Sequence, residues 1–291
     1  MHTGDWKFDN DPVVGETTDE EALRRAGDEG ILAMVCDSTN ALLSGSSGSE
    51  GALAENLQNV VSGLNNRIAV GCFASNVARL QTIAQVAKAC DRQIVLVGRS
   101  LHRINQIARE NGIFHDLPSF VSEEEGSYLP RNKVLYICTG SQGEPRAALA
   151  RIARGDHRDV KLDKGDAVIF SSRVIPGNEL EISRLQNKLL SDGIEVITAD
   201  DANIHVSGHP ARDELAEMYQ FIRPEIAIPV HGEMRHMIAH QKIAEACQVP
   251  HTVLAPNGSL IRLDATGPEI IDHVPNGRLG IDGHRLVKLD S

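Results

Sequence analysis

Short apolar runs and helix-like stretches alternate along this chain. Apolar runs at 67–73, 93–97, 133–139 and 167–171 predict buried strands. Each run is followed by a segment in which apolar residues recur every three or four positions, which predicts a helix. A mostly parallel sheet with covering helices produces this alternation, so the sequence predicts an α/β fold.

A strand–helix–strand pattern follows further along the chain. Residues 202–206 predict a strand, residues 210–222 a helix, and residues 226–230 a second buried strand. His205 and His231 would then lie at strand ends, where α/β sheets place their chemistry. Imidazole at such a position can bind a metal or transfer a proton.

The two ends of the chain give weaker patterns. The predicted elements there are an acidic helix at 19–30, a strand at 31–36, a Ser/Gly-rich crossing at 42–51, a hairpin that pairs 253–254 with 260–263, and an irregular tail from His273.

Composition narrows the possible functions. The chain has 291 residues, enough for one large or two ordinary domains, and shows no apolar run long enough to cross a membrane. A formal charge of −11 argues against a broad non-specific nucleic-acid surface, and 3% aromatic residues disfavour a base-stacking platform. Five cysteines without CxxC spacing are interpreted as reduced core residues. A local site for phosphates remains compatible with this composition.

Four predicted strand ends carry Ser, Thr, Asn or Gly just before a helix. They are residues 74–76, 139–144, 171–178 and 205–209. Together they would line one sheet edge with helix N-termini and hydroxyls, which suits a run of phosphates. The alternative is four ordinary helix caps. The segment TGSQGE lacks the Lys-Ser/Thr of a P-loop and the third glycine of a dinucleotide fingerprint.

Histidines and aspartates are the candidates for chemistry. Asp5 and Asp37 each precede polar turn residues, where an aspartate is often only a turn former. His231 at a strand end is a better ligand candidate than eight other histidines, which are predicted to be solvated. These eight are His102, His115, His157, His236, His240, His251, His273 and His284.

Seven segments in a fixed order resemble the β-CASP metallo-β-lactamase nucleases, and within them ribonuclease J. The segments are HTGDWKFD, MVCDSTNA, CFASNVARLQ, YICTGSQGEPRAAL, FSSRVIPGNE, IHVSGHP and PVHGE. The resemblance implies an α/β fold in which a parallel-sheet β-CASP domain is inserted in an incomplete metallo-β-lactamase αββα domain. It implies a metal-dependent RNase with 5′→3′ exonuclease and endonuclease activity in the intact family.

The resemblance also implies roles for individual residues. Asp5 and His231 match metal ligands, whereas Asp37 and His209 match catalytic positions: Asp37 holds a hydrogen-bond network and His209 contacts the scissile phosphate. Residues that match RNA- or phosphate-binding positions are His205, Ser207, Gly208, Ser75, Asn76, Ser141 and Ser171. The implied cofactor is Zn²⁺, two ions per site in the intact family, with Mn²⁺ as a possible substitute. The implied partners are RNA, preferably 5′-monophosphorylated, and further copies of the intact protein in a homo-oligomer, with no membrane and a cytoplasmic location.

One departure from the family pattern is large. The zinc motif His-x-His-x-Asp-His occurs nowhere in this sequence. Two ligands are fewer than the three or four that zinc usually has. We therefore expect a partial chain that is weakly active or inactive alone. The expected domains are metallo-β-lactamase pieces at 1–50 and 211–272, a β-CASP domain at 51–210 and a linker at 273–291.

Two other functions stay open. One is a non-catalytic RNA- or partner-binding β-CASP remnant, which would bind RNA without turnover. The other is a Rossmann-like enzyme, which the missing glycine fingerprint disfavours.

Overall fold

The computed structural model describes residues 1–264, 266–283 and 285–289. These residues form two compact units. The first unit contains Met1–Phe8, Thr18–Ser47 and the described residues from Gly208 onward, and the second contains Asp9–Thr17 and Gly48–Ser207. The second unit is therefore inserted, in sequence, within the first.

Helices and strands alternate through most of the chain. In chain order the elements are α1 (Glu20–Glu29), β1 (Ala33–Asp37), α2 (Leu53–Gly63), β2 (Ile68–Gly71), α3 (Val77–Ala89), β3 (Gln93–Val97), α4 (Arg99–Glu110), α5 (Glu123–Tyr128), a 3-10 turn (Arg131–Lys133), β4 (Val134–Cys138), α6 (Ala148–Arg154), β5 (Ala167–Phe170), α7 (Glu179–Ser191), β6 (Glu195–Ile197), α8 (Arg212–Ile222), β7 (Ile226–Val230), α9 (Met234–Ala246), β8 (His251–Thr252), β9 (Ser259–Asp264), β10 (Gly267–His273), β11 (Arg278–Asp282) and β12 (Arg285–Leu289).

A five-stranded sheet organises the second unit. Its strand order is β3-β4-β2-β5-β6 and every pair is parallel. Ile68 in the central strand β2 lies opposite Leu135 on one side and Ala167 on the other. Every residue of β2, β4 and β5 is buried, because helices cover both faces of the sheet. The predicted parallel α/β fold is confirmed.

Alternate residues of each strand supply two separate cores. Ile68 and Val70 pack on one face with residues of α2, α3 and α4, whereas Ala69 packs on the other face with residues of α6 and α7. Successive side chains of a strand point to opposite faces, so a continuous apolar run serves both cores.

A smaller parallel sheet organises the first unit. Its order is β1-β7-β8, and Asp37 at the end of β1 lies opposite Val230 at the end of β7. Met34 of β1 packs with Tyr219 of α8 in the core of this unit. The strands β9 and β10 form one antiparallel hairpin, and β11 and β12 form another.

The predicted strand at 202–206 is wrong. The chain leaves β6 through turn hydrogen bonds from the backbone N–H groups of Asp201 and Ala202 to the carbonyl of Thr198, and no regular strand follows. Local turn bonds satisfy backbone groups that a strand would have to pair with a neighbour. His205 consequently lies on a loop and not at a strand end.

The predictions for the tail are also wrong. Val253 and Leu254 form no strand, and the predicted strand at 260–263 pairs instead with β10. The region after His273 contains the β11–β12 hairpin where an irregular segment was predicted. The apolar–polar pattern of this region is weak, but its two strands are close in sequence and stabilise each other by pairing. The predicted linker also includes His284, Asp290 and Ser291, which lie outside the described residues.

Neither a disulfide bond nor a membrane-spanning helix is found among the described residues. All five cysteines are free thiols: Cys36, Cys72 and Cys138 are buried, whereas Cys90 and Cys247 are partly exposed. Among the residues that the structure describes, no helix has the length and apolar composition needed to cross a bilayer.

Candidate functional site

Four acidic and histidine side chains meet in the first unit. Asp5, Asp37, His209 and His231 each direct one ligand atom into a group in which all atoms lie within 4.8 Å of one another. Asp37 ends β1 and His231 directly follows β7, and these parallel strands end side by side. Asp5 lies near them because its N-terminal segment pairs alongside β1 through His2. Parallel pairing thus brings residues that are distant in sequence to one edge of the sheet.

Asp37 is the buried centre of this cluster, with 1% of the residue exposed. Its Oδ2 accepts a hydrogen bond of 2.6 Å from His209 Nδ1, and its Oδ1 accepts bonds from the backbone N–H and the hydroxyl of Thr39, at 2.8 and 2.7 Å. Burial alone would raise the pKa of Asp37, but the bonds from His209 and Thr39 outweigh burial and lower this pKa below 3.8. Asp37 is therefore a carboxylate at neutral pH.

The Asp37 carboxylate fixes the tautomer of His209. A carboxylate can only accept hydrogen bonds, so Nδ1 of His209 must carry a proton. In the neutral ring, Nε2 then carries the lone pair, and in the charged ring it carries the second proton. The backbone carbonyl of His209 also accepts a bond from Asn40 Nδ2 at 3.0 Å, which holds the main chain at this point. His209 can thus bind a metal or transfer a proton through Nε2.

His231 has an unusual backbone conformation, with φ at +57°. Such left-handed values are uncommon outside glycine and concentrate at functional positions. The His231 Nδ1 atom lies 3.5 Å from Asp5 Oδ1, 3.3 Å from Asp37 Oδ1 and 3.0 Å from Thr39 Oγ1. The turn continues at Gly232, where a Cβ would lie 2.9 Å from the Cβ of His236. The tight turn therefore aims the His231 ring at the two aspartates.

The donor set of the cluster fits a zinc-type ion by its chemistry. Carboxylate oxygen and imidazole nitrogen are both ligands that zinc accepts. Asp5 and His231 are the accessible pair, with 63% and 54% of their side chains exposed, whereas Asp37 is buried and holds hydrogen bonds at both oxygens. The described residues thus offer two open ligands with His209 and Asp37 beside them.

A second hydrogen-bonded chain lies behind the cluster. The Ser38 hydroxyl is 2.8 Å from His240 Nδ1, and the Tyr219 hydroxyl is 2.9 Å from His240 Nε2. His240 is fully buried, and burial lowers its pKa to about 4. The prediction that His240 is solvated is wrong. His157 is also buried, at 8% exposure, so the prediction that His157 is solvated is wrong as well.

An ion pair is buried in the second unit. Arg79 is 1% exposed, and its Nε and Nη2 donate to the two carboxylate oxygens of Glu50 at 3.0 and 2.8 Å. Arg79 Nη1 donates to the carbonyl and the hydroxyl of Ser171, at 2.9 and 2.8 Å, and lies 3.2 Å from His205 Nδ1. Because a guanidinium has no acceptor, Nδ1 of His205 must accept this bond. His205 therefore carries its proton on Nε2 in the neutral ring.

The remaining predicted phosphate-binding residues have varied environments. Ser171 is buried and gives its only proton to the carbonyl of Ile204. The Asn76 side chain accepts a hydrogen bond from the backbone N–H of Arg79 and so caps α3. At this residue the alternative of an ordinary helix cap is therefore correct. Ser141 is buried, Ser75 and Gly208 are exposed, and Ser207 is partly exposed.

Comparison with known proteins shows the relatives of this chain. Residues 65–189 match the family described as "Ribonuclease J, beta-CASP domain", and residues 183–253 match "Zn-dependent metallo-hydrolase RNA specificity domain". Ribonuclease J of Sinorhizobium meliloti is 46% identical over 284 residues, which cover 97% of this chain and 50% of that protein. The chain belongs to the ribonuclease J family.

Two further ribonuclease J proteins agree with this assignment. The protein from Corynebacterium glutamicum is 40% identical over 100% of this chain and 41% of its own length, and ribonuclease J 1 of Streptococcus pyogenes is 38% identical over 98% and 51%. The chain thus spans about half the length of these relatives. Among solved structures, a protein of unknown function from Enterococcus faecalis matches 88% of this chain and 56% of its own with a TM-score of 0.54 and 13% identity, which shows a shared fold.

Reasoning from this ribonuclease J-family sequence alone missed several residues around the predicted ones. Arg79 and Glu50 position His205 and Ser171, and Thr39 holds Asp37. The available signal was a charged residue on an apolar helix face: Arg79 is followed by Leu80 and Ile83, both fully buried. A buried arginine needs an ionic partner, so this position could have been recognised as part of a network.

Proposed function

We propose that the first unit carries part of the active site of a metal-dependent ribonuclease that hydrolyses phosphodiester bonds. The observation that carries this proposal is the meeting of Asp5, Asp37, His209 and His231 within 4.8 Å, in a chain related to ribonuclease J. Two exposed metal ligands beside a carboxylate–histidine pair combine the two functions that such hydrolysis needs: stabilising charge on a phosphate and supplying a proton.

His209 is the proposed catalytic acid. In the reaction, water adds to phosphorus and releases a proton to the solvent, the bond from phosphorus to the leaving oxygen breaks, and that oxygen takes up a proton. The protonated His209 ring would supply this proton from Nε2, because Asp37 holds the proton on Nδ1. Asp37 acts through this bond to the His209 ring and is therefore a positioning residue for His209.

Asp5 and His231 are the proposed metal ligands, with Zn²⁺ as the expected ion, two per site in the intact family, and Mn²⁺ as a substitute. A bound metal would stabilise the negative charge that develops on the phosphate oxygens. The exposure of both side chains leaves them accessible to an incoming ion and to substrate.

RNA, preferably 5′-monophosphorylated, is the proposed substrate. The proposed contacts to RNA or its phosphates are His205, Ser207, Gly208, Ser75, Asn76, Ser141 and Ser171. We propose that Ser171 and Asn76 support the RNA site without touching RNA. Their side chains already make hydrogen bonds within the protein, around Arg79. His205 presents an N–H donor at Nε2, which suits a phosphate oxygen.

The two units are proposed to correspond to the domains expected from sequence. Residues 51–210 are then the β-CASP domain, residues 1–50 and 211–272 belong to the metallo-β-lactamase domain, and 273–291 is a linker. Exonuclease and endonuclease activity and homo-oligomer formation are proposed for the intact protein, and this chain alone is proposed to be weakly active or inactive. The five free cysteines make the cytoplasm the proposed compartment.

Hydrolysis by the purified chain tests the proposal. We expect at most slow cleavage of 5′-monophosphorylated RNA with Zn²⁺ or Mn²⁺ present, and we expect His209→Ala to remove this cleavage. His115→Ala is the matched control, because His115 is an exposed histidine that contacts only its own loop. Cleavage that survives His209→Ala would refute the role of His209.

A non-catalytic RNA-binding module is the second candidate. It is favoured by the count of accessible ligands, since Asp5 and His231 are fewer than zinc usually has. RNA binding without turnover, together with less than one metal ion per chain by elemental analysis, would establish this alternative for the chain on its own and refute catalysis by the chain on its own.

A further inference from the structure

A cavity of about 740 Å³ opens in the second unit at the ends of β3 and β4. Gly98 and Thr139, the residues that follow these two strands, lie at its floor with the first residues of α4 and α6. The volume is within the roughly 300–1,000 Å³ that small-molecule sites occupy. The network of Arg79 and Ser171 lies at the ends of other strands, β2 and β5, so the cavity is a different place on the same sheet edge.

The walls of this cavity are rich in positive charge. Four arginines line it against two carboxylates, in a chain whose formal charge is −11. The arginines are Arg99, Arg146, Arg151 and Arg158. A cluster of this sign on an acidic protein concentrates anions locally.

Two of these arginines have no partner among the residues that the structure describes. Arg151 pairs with Asp156 and Arg158 with Asp159. Within the described part of the chain, by contrast, Arg99 and Arg146 make neither a hydrogen bond nor an ion pair through their side chains. Their guanidinium groups can therefore engage a ligand without breaking an existing bond.

His157 adds a buried donor to the same wall. Its Nδ1 accepts a hydrogen bond of 3.3 Å from the backbone N–H of Val160, so the neutral ring carries its proton on Nε2. This atom lies 3.9 Å from Glu123, too far for a hydrogen bond, and no other acceptor for it is found among the described residues. Burial lowers the pKa of His157, which favours the neutral ring. The His157 residue is 8% exposed and lines the cavity with an N–H donor that has no acceptor among the described residues.

The N-terminus of α4 faces the same space. Gly98 precedes the helix with φ at +130°, and a Cβ there would lie 2.6 Å from Thr139 Oγ1, so a side chain would not fit. No described side chain caps this terminus, and the first turn of α4 has no acidic residue. The first N–H groups of a helix lack intrahelical acceptors and attract anions.

We propose that this cavity binds a phosphate monoester of nucleotide size, held by Arg99, Arg146 and His157. Every group singled out is a hydrogen-bond donor, and phosphate oxygens are acceptors. The described residues that line the cavity include no Phe, Tyr or Trp, so a base has no stacking partner. Recognition therefore depends on the phosphate and not on the base.

Calorimetric titration of the full chain tests this site, with uridine 5′-monophosphate, inorganic phosphate and uridine as probes. We expect the monophosphate to bind, uridine not to bind, and inorganic phosphate to compete. Arg99→Gln and Arg146→Gln should each weaken monophosphate binding about tenfold, because each removes a charge-assisted hydrogen bond. Arg103→Gln is the matched control, an exposed arginine of the same helix that does not line the cavity.

Further variants separate this site from the proposed ribonuclease site. His209→Ala should leave monophosphate binding at the cavity unchanged, whereas the two arginine variants should leave RNA cleavage unchanged. His157→Phe should weaken binding, and His157→Gln should restore part of it through its amide donor. Equal binding of uridine and its monophosphate, or unchanged affinity in the Arg99→Gln and Arg146→Gln variants, would overturn the proposal. Weakened binding in His209→Ala alone would assign the monophosphate to the other site.

Discussion

Each unit uses a buried charge to orient one histidine, and the two charges have opposite sign. In the first unit the Asp37 carboxylate accepts from His209 Nδ1, and in the second unit the Arg79 guanidinium donates to His205 Nδ1. Neutral His209 therefore presents a lone pair at Nε2, and neutral His205 presents an N–H. Two histidines four positions apart are thus prepared for different chemistry, one for proton transfer or metal binding and one for donation to an anion.

Removing the positive charge of Arg79 should have the largest effect on the free energy of unfolding. Arg79→Ala leaves Glu50 buried without its partner, so we expect the free energy of unfolding to fall by about 3–5 kcal/mol. Chemical denaturation monitored by circular dichroism measures this loss. The double variant Arg79→Met with Glu50→Gln should recover much of it, because no uncompensated charge remains. A loss below about 1 kcal/mol in Arg79→Ala would show that the ion pair does not support the second unit.

Acidification should destabilise the first unit through His240. Its pKa is about 4 in the folded chain and 6.5 ordinarily, so only the unfolded chain binds this proton between these values. Stability present above pH 6.5 is therefore lost as the pH falls to 4, by about 3 kcal/mol. Denaturation followed by the fluorescence of Trp6, the only tryptophan, measures it. His240→Gln should flatten this part of the pH profile, and an unchanged profile in that variant would assign the effect to other groups.

Asp37→Asn should remove the difference in tautomer between His209 and His205. The amide can donate as well as accept, so it no longer requires a proton on His209 Nδ1. We expect the free energy of unfolding to fall by about 1.5–3 kcal/mol, the range for a hydrogen bond to a charged group. Nitrogen-15 NMR of the histidine rings should show His209 changing its tautomer while His205 keeps a proton on Nε2. A His209 ring that stays protonated on Nδ1 would mean that Asp37 does not fix it.

Thr39→Val is expected to have the smallest effect. The substitution keeps the shape of the side chain and removes the hydroxyl that donates to Asp37 Oδ1. We expect a loss of about 1 kcal/mol, because the backbone N–H of Thr39 still holds the same oxygen. Thermal unfolding measures this loss, and Thr266→Val, which removes the same kind of hydroxyl bond from the 41% exposed side chain of Asp264, provides the control. Equal shifts in both variants would contradict a special role for Thr39.

Buried strands were the most predictable part of the fold. The strands Gln93–Val97 and Ile226–Val230 have the predicted bounds, because a strand covered on both faces appears as an uninterrupted apolar run. Residues 202–206 showed a similar run, yet turn bonds around Thr198 prevented a strand. Short apolar runs do not show whether a neighbouring strand is available for pairing, and this information is absent from local sequence.

The candidate site was predictable only in part, because local sequence does not show which distant residues come together. Turn and strand-end positions make Asp5, Asp37 and His231 candidates, but only the family resemblance joins them with His209 in one site, since no periodicity links residues so distant along the chain. The sequence predicts a solvated His240, although Ser38 and Tyr219 enclose it. Its burial depends on which side of α9 meets the sheet, and that side is fixed by tertiary packing.

The insertion of the second unit has a consequence for biosynthesis. Asp37 and His231 are 194 positions apart, and His209 lies 172 positions after Asp37. At about 5–20 residues per second, a ribosome needs roughly 10–40 s to make the chain between Asp37 and His231. The second unit can fold during that interval, whereas Asp37 stays without its histidine. The acidic half of the cluster therefore emerges first, and the complete cluster can assemble only after His231 has been synthesised.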